Sequence, residues 1–192
     1  MTIRTGRLHF RDFVATDFDA VHAYASDPMV TRFTAWGPNT EVETRSFLDR
    51  MLVEATARPR QNYTFAVLEI ATGRVIGGCR LELDNSTGPQ FVLGYCFHSE
   101  WWQLGMGTEA VRAILPFGFG DLGAHRIAAH VFLGNAPSAR LLGRLGFRVE
   151  GTLHQHTFVR GAWHDEMVHA LLRHEWQEAD PSLKKHLPSD CS

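Results

Sequence analysis

From Leu8 to Phe13 apolar and polar residues alternate, Leu8 and Phe10 against His9 and Arg11, which predicts a short strand. Asp17 then opens a helix expected to run to Tyr24, with Asp17 as N-cap, Phe18, Val21 and Ala25 on one side, and Pro28 as its stop. A second helix is predicted over 40–56, burying Val42, Phe47, Leu48, Met51 and Leu52. Strand patterns at 63–70 and 74–83 flank a hairpin turn at Ala71-Thr72-Gly73, and 85–89 breaks the chain before a strand over 91–97. A helix follows from about Gly107 with Val111, Ile114 and Leu115 at helical spacing. Pro116 lies inside it and removes the bond to the Arg112 carbonyl, so a kink or early end is expected there. Residues 127–132 form a strand again, and the strand–helix–strand order implies a parallel pair with a right-handed crossover. Asn135-Ala136-Pro137 starts a further helix that buries Leu141, Leu142 and Leu145 and ends at Gly146. Strands at 147–156 and 164–172 turn around Arg160-Gly161. The class is α+β, with hairpins early and one parallel crossover late. Residues 1–177 are expected to be one domain and 178–192 a polar surface tail.

Composition narrows the function classes. The 192 residues carry a formal charge of −2, so there is no basic surplus to make nucleic acid a principal ligand. Cys79, Cys96 and Cys191 form no CxxC, and two of them fall in predicted strands, which suits free thiols in a reducing compartment. The opening MTIRTGRLHF lacks the apolar core of a leader, and no apolar run approaches the roughly 18 residues that span a membrane. The expected location is the cytoplasm, with no membrane partner; the oligomeric state is left open, a homodimer included.

The most informative stretch is Phe97-His98-Ser99-Glu100-Trp101-Trp102-Gln103-Leu104-Gly105-Met106-Gly107-Thr108, where a strand ends, glycines follow and a helix begins. A helix N-terminus offers free N–H groups and a positive dipole end, and glycine lets a ligand come close, which together suit a pyrophosphate. The dinucleotide fingerprint is excluded because Gly105-Met106-Gly107 lacks its third glycine, and a P-loop because no Gly-Lys-Ser/Thr follows.

The order of further motifs resembles the GNAT acetyltransferase superfamily, and within it the RimJ/RimL-like branch, the ribosomal-protein N-terminal acetyltransferase type. The features are Gly94-Tyr95, the aromatic pair before Gln103, Thr108-Glu109-Ala110, Gly118-Phe119, His125-Arg126-Ile127, Asn135 with Ser138, Leu145-Gly146-Phe147, Glu150-Gly151 and Gly161-x-Trp163-x-Asp165. The resemblance spans about residues 5 to 177. It implies a mixed, mostly antiparallel sheet splayed between the two parallel strands, flanked by helices. It also implies acetyl-CoA as cosubstrate, with pantetheine along Cys96, Phe97 and His98, pyrophosphate on Gln103, Leu104, Gly105, Met106, Gly107 and Thr108, and Asn135 and Ser138 beside the pantetheine arm and sulfur.

Acetyl transfer to an amine needs a neutral nucleophile, a stabilised thioester oxygen and a proton for the leaving thiolate. Many superfamily members place a tyrosine acid seven residues after the asparagine, where this chain has Leu142. Ser138 is the branch's alternative acid, although it also suits a helix start. The branch's glutamate base would fall seven residues after Glu150, at Thr157. His156 and His154 are the candidate bases on that strand, expected on one face, against a solvated surface role for both. Glu82 and Glu109 are further carboxylates, and Glu109 more simply complements the helix dipole. His154, His156 and His164 give a scattered set with no metal-ligand spacing, so no metal is expected. Trp101 and Trp102 pack beside the loop, and Trp36 is a candidate to touch the acceptor. The expected reaction is direct attack, in a ternary complex, by a protein or peptide α-amine. A small-molecule amine is the alternative, and a non-catalytic acetyl-CoA sensor a third reading.

Overall fold

The structure, a computed structural model, describes residues 3–84 and 88–179. Strands β1 (Ile3–Arg4) and β2 (Leu8–Asp12) lead through a 3-10 turn into helix α1 (Phe18–Ala25), followed by the short α2 (Pro28–Thr31) and the long α3 (Glu41–Thr56). Strands β3 (Asn62–Glu69), β4 (Val75–Asp84) and β5 (Gln90–Phe97) form a meander, and α4 (Met106–Pro116) crosses over to β6 (Arg126–Phe132). Helix α5 (Ala136–Arg144), the hairpin of β7 (Arg148–Val159) and β8 (Ala162–Leu172), and α6 (Arg173–Ala179) complete the chain. The eight strands form one sheet in the order β1-β2-β3-β4-β5-β6-β8-β7, antiparallel throughout except between β5 and β6. The expected α+β architecture is therefore present.

Strand alternation sends neighbouring residues to opposite faces, so the sheet has two cores. Phe65, Val67, Leu81, Leu93 and Ile127 pack with Val111, Ile114 and Leu142 of α4 and α5. Ala66 and Val75 pack with Val21 and Tyr24 of α1 and Leu48 and Met51 of α3. No helix of the described residues is long and apolar enough to cross a membrane.

Several local expectations change. Asp17 sits at the N-cap position of α1 without capping it. Its carboxylate, 5% exposed, instead accepts two 2.7 Å bonds from the Arg11 guanidinium and one from the Val14 N–H. Helix α3 begins at the Thr40 capping box as its sequence suggests, but Val42 is 72% exposed and Leu52 is also exposed. The helix meets the sheet along the narrow stripe Thr44, Leu48, Met51, and Val42 lies off that stripe. In α5 only Leu142 is fully buried; Leu141 and Leu145 pack at its margin. Pro116 is the last residue of α4, followed by a π turn over Phe117–Asp121, so the early end is observed. Strands β7 and β8 run up to Arg160-Gly161 themselves and are longer than expected. Helix α6 reaches Ala179, past the expected domain edge at 177. Residues 180–192 of the tail, with Cys191, and 85–87 of the break lie outside the described residues.

The Arg11–Asp17 pair ties β2 to the start of α1. Arg11→Ala would leave a buried carboxylate unpaired, and the expected cost is about 3 kcal/mol, the low end for breaking a buried pair because Arg11 keeps some exposure. Urea unfolding measures it, and a loss under 1 kcal/mol would mean that water replaces the guanidinium freely.

Candidate active site

The site starts from a limit on backbone pairing. Strands β5 and β6 are in register at Gln90/Arg126, Phe91/Ile127 and Val92/Ala128, and no further. Beyond Val92, β5 stays bonded to β4, with Cys96 opposite Gly78 and the His98 N–H on the Ile76 carbonyl. By alternation the Tyr95 and Phe97 amides then face the opening, not those of Cys96 and His98. The Phe97 carbonyl is taken by the Trp102 indole N–H at 2.8 Å. Of the three residues expected to offer backbone here, Phe97 does so, and Tyr95 replaces Cys96 and His98.

On the face that carries α4 and α5, Tyr95 reaches across the opening. Its Oη lies 2.7 Å from Ser138 Oγ. Burial pushes the Tyr95 phenol up to about 12, only partly offset by the Ser138 hydrogen bond, so it stays protonated throughout the neutral range. Asn135 caps α5 by accepting the Ser138 N–H at 3.3 Å, which fixes where Ser138 stands. The hydroxyl is thus free of capping duty and points at Tyr95. The family's usual tyrosine position, Leu142, is fully buried core.

At the mouth of the opening, Gln103 and Gly105 both have positive φ, 61° and 79°, and Gly105 caps α4 with no side chain over its first N–H groups. Alternating left-handed residues before a helix turn successive N–H groups toward one concavity, which is an anion-binding arrangement. Gly107 has a second reason to be glycine: a Cβ there would meet Leu141 Cδ1 at 3.1 Å, so it also sets how closely α4 and α5 approach. Glu109 is occupied structurally, paired with Arg7 at 2.6 Å and accepting from Thr5. Trp101 is buried beside the loop, and Trp102 is partly exposed.

The opposite face holds a second polar group. Phe132 of β6 stands opposite Glu166 of β8, and His130 opposite Val168, so His130, Phe132 and Glu166 share the face that carries α1 and α3. Glu166 is 6% exposed. Its Oε2 lies 3.1 Å from His130 Nδ1 and 3.0 Å from His156 Nδ1, and its Oε1 accepts the Thr157 hydroxyl at 2.8 Å. Burial alone would raise the Glu166 carboxyl, but the bonds from Thr157, His156 and His130 outweigh it and hold it below the ordinary carboxylate range. His154 does not join this group. An irregularity between Leu153 and Thr157, with Gln155 at φ 47°, sends His154 to Asp165 while His156 goes to Glu166. Adjacent residues of β8 face opposite ways, so the two histidines do as well, and His154 is 81% exposed. His154, His156 and His164 stay apart, as their scattered spacing suggests. His164 stacks on Phe132 at 5.2 Å, and the metal-capable trio among the described residues is His130, His156 and Glu166. In each of its histidines Nδ1 is engaged with the carboxylate.

The β7–β8 turn also holds the loop after α2. Arg160, at the β7–β8 turn, donates to the carbonyls of Arg32, Thr34, Trp36 and Gly37 at 2.8 to 3.3 Å. Sequence reasoning missed His130, Glu166, Tyr95 and Arg160. A lone glutamate in the strand HDEMVHALL was the signal for Glu166, and nothing in the sequence joins it to His130.

A splayed parallel pair, a glycine-capped helix at its mouth and an asparagine-capped helix beside it lead to one family. The acetyltransferase (GNAT) domain model matches residues 7–148. This chain belongs to the GNAT acetyltransferases. It is 30% identical over 175 residues to the N-acetyltransferase p20 of Bacillus licheniformis, which covers 91% of this chain and 98% of that protein. A GNAT-family acetyltransferase structure from Bacillus anthracis superposes with a TM-score of 0.77 at 30% identity, over 91% of this chain and 99% of that one. Over 84 residues, 44% of this chain and 43% of the other, it is 33% identical to the ribosomal protein uS5-alanine N-acetyltransferase of Escherichia coli. As a GNAT enzyme the protein is an acetyl-CoA-dependent N-acetyltransferase.

If the concavity before α4 receives the phosphates of CoA, a carboxylate at exposed Leu104 opposes them without disturbing the core. Leu104→Glu is expected to weaken CoA at least tenfold, roughly 1.4 kcal/mol, with Leu104→Gln near wild type. Calorimetry with CoA measures both, and equal affinity of the two variants would place the phosphates elsewhere.

Proposed function

We propose that this GNAT enzyme is of the RimJ/RimL-like branch and acetylates the α-amine of a protein or peptide in the cytoplasm, by direct attack in a ternary complex. The observation that carries the acceptor class is the openness of the face opposite Ser138. The side chains of His130 and His156 are 33% and 47% exposed, so a chain end can reach them without entering an enclosed cavity. A small-molecule amine is the rival, and the assay below discriminates between them.

The residues present fit acetyl-CoA. The N–H groups of 103–108 would hold the pyrophosphate, Tyr95 and Phe97 would present backbone to pantetheine as to an added strand, and Asn135 and Ser138 would lie by the sulfur. Bound there, acetyl-CoA supplies a thioester carbon whose bond to sulfur is exchanged for one to nitrogen. Ser138 Oγ holds the proton for the sulfur, and Tyr95 Oη replenishes it, being still protonated at neutral pH. A phenol thus arrives from β5 instead of from the late helix.

Ser138→Ala should lower kcat roughly 10–100-fold with little change in acetyl-CoA affinity, and Tyr95→Phe should lower it by a similar or smaller factor. Stopped-flow thiol release measures both; wild-type kcat in Ser138→Ala would reduce Ser138 to a helix-start residue.

Acceptor choice follows from proton affinity. An α-amine titrates near 7.7–8.0 and lysine near 10.4, so deprotonating lysine costs roughly 3.4 kcal/mol more. Matched peptides, one with a free N-terminus and one blocked with a single lysine, should show faster acetylation of the first at pH 7.5. Mass spectrometry of the products reads the outcome. Preference for lysine, or turnover of small amines alone, would overturn the α-amine assignment.

A further inference from the structure

We propose that Glu166, His130 and His156 form the proton-accepting centre of this enzyme, with His156 taking the proton from the acceptor's ammonium group and Glu166 and His130 positioning it. The inference rests on acetyl transfer to an amine at this face. It adds the residues that prepare the amine, for which the branch's glutamate position, Thr157, has no base of its own.

The argument begins with what Glu166 can do. It is buried, and its Oε1 receives the Thr157 hydroxyl while Oε2 faces both imidazoles. An ionised carboxylate only accepts hydrogen bonds, so each imidazole must turn an Nδ1–H to it. Each ring then carries its lone pair on Nε2, away from Glu166 and able to accept a proton. Thr157 therefore keeps a part in the branch's base position. Its hydroxyl holds the carboxylate that arrives from β8, and the carboxylate sets the tautomer of the neighbouring histidines.

The trio also limits the charge it can carry. His130 and His156 lie nearly parallel, with ring centroids 5.7 Å apart, over one shared carboxylate oxygen. One carboxylate offsets one imidazolium, and a second would face a like charge at that distance. His156 is the more exposed ring and the one that meets the acceptor; His130, deeper on β6, buttresses Glu166. The charged and titratable groups facing His156 are thus Glu166 and His130, with His164 held on Phe132 nearby. Asp165 and His154 pair on the other face.

The proton balance is complete. The ammonium nitrogen gives one proton to His156 Nε2, and the freed lone pair forms the new bond to carbon. A second proton leaves the nitrogen for solvent as the amide forms, and the Tyr95–Ser138 pair, having given one proton to sulfur, regains it from solvent. The proton on His156 passes to solvent. Acid and base thus work from opposite faces of the sheet, meeting only through the opening between β5 and β6.

The test uses the intact enzyme with α-amine peptides and weakly basic amine acceptors that are neutral at the assay pH. At pH 6, where α-amines are almost wholly protonated, His156→Ala is expected to lose roughly tenfold or more in kcat/KM on them and less than about threefold on the weakly basic amines, with added imidazole restoring part of the loss. Independently of activity, ¹⁵N NMR should show His130 and His156 protonated at Nδ1 in wild type and released from that tautomer in Glu166→Gln. An equal loss of rate on all amines, or Nε2-protonated rings in wild type, would overturn the proposal. So would loss of wild-type activity on chelation, which would make the trio a metal site. A wild-type enzyme that acetylates no amine at all would instead overturn the functional reading beneath it. If Glu166→Gln fails to fold, the exposed His156→Ala variant and the wild-type tautomers still decide.

Discussion

Backbone N–H and C=O groups must be paired, and a sheet that stops pairing in its middle has to hand those groups to something else. Between β5 and β6 the register ends at Val92/Ala128, while each strand stays bonded on its far side, to β4 and to β8. The two halves of the sheet are therefore each complete, and only the seam between them is open. The glycine-capped start of α4 lies at its mouth, the Asn135 cap of α5 fixes Ser138 beside it, and the side chains of β5 and β6 alternate above and below it.

That alternation separates the chemistry. Tyr95 points toward α5 and meets Ser138, while His130 points the other way and meets Glu166. Each polar group is satisfied within its own face: a neutral hydroxyl pair on one, a carboxylate with three donors on the other. The two polar groups therefore have no short path to exchange protons with each other. Burial raises both groups: it keeps the Tyr95 phenol protonated, while at Glu166 the hydrogen bonds outweigh it and keep the carboxylate ionised.

Much of this was legible in the sequence, for reasons that differ by element. The start of α3 at Thr40, the Asn135 cap, the Gly146 stop and the break at Pro116 are local, set by neighbours in the chain, and each is found where the sequence places it. The left-handed residues before α4 are local as well. Failures arise where position depends on tertiary register. Simple alternation puts His154 and His156 on one face, but the irregularity between Leu153 and Thr157 rotates them apart. Cys96 and His98 looked like pantetheine contacts, yet which residues of β5 face outward is decided by its pairing with β4. The assembly of His130 with Glu166 and His156 joins three strands, and no spacing in the sequence encodes it. Val42 was misplaced because a helix against a sheet buries a stripe narrower than its apolar residues suggest.

The Arg160 contacts have a consequence for how the loop over 32–37 can change. All of its bonds to those residues end on backbone carbonyls, and none on a side chain. The clamp reads the path of the loop and is blind to its sequence. Substitutions at Phe33 or Trp36 can thus alter what the loop presents without releasing it, so mutational drift or laboratory selection can vary its surface while its path is inherited intact.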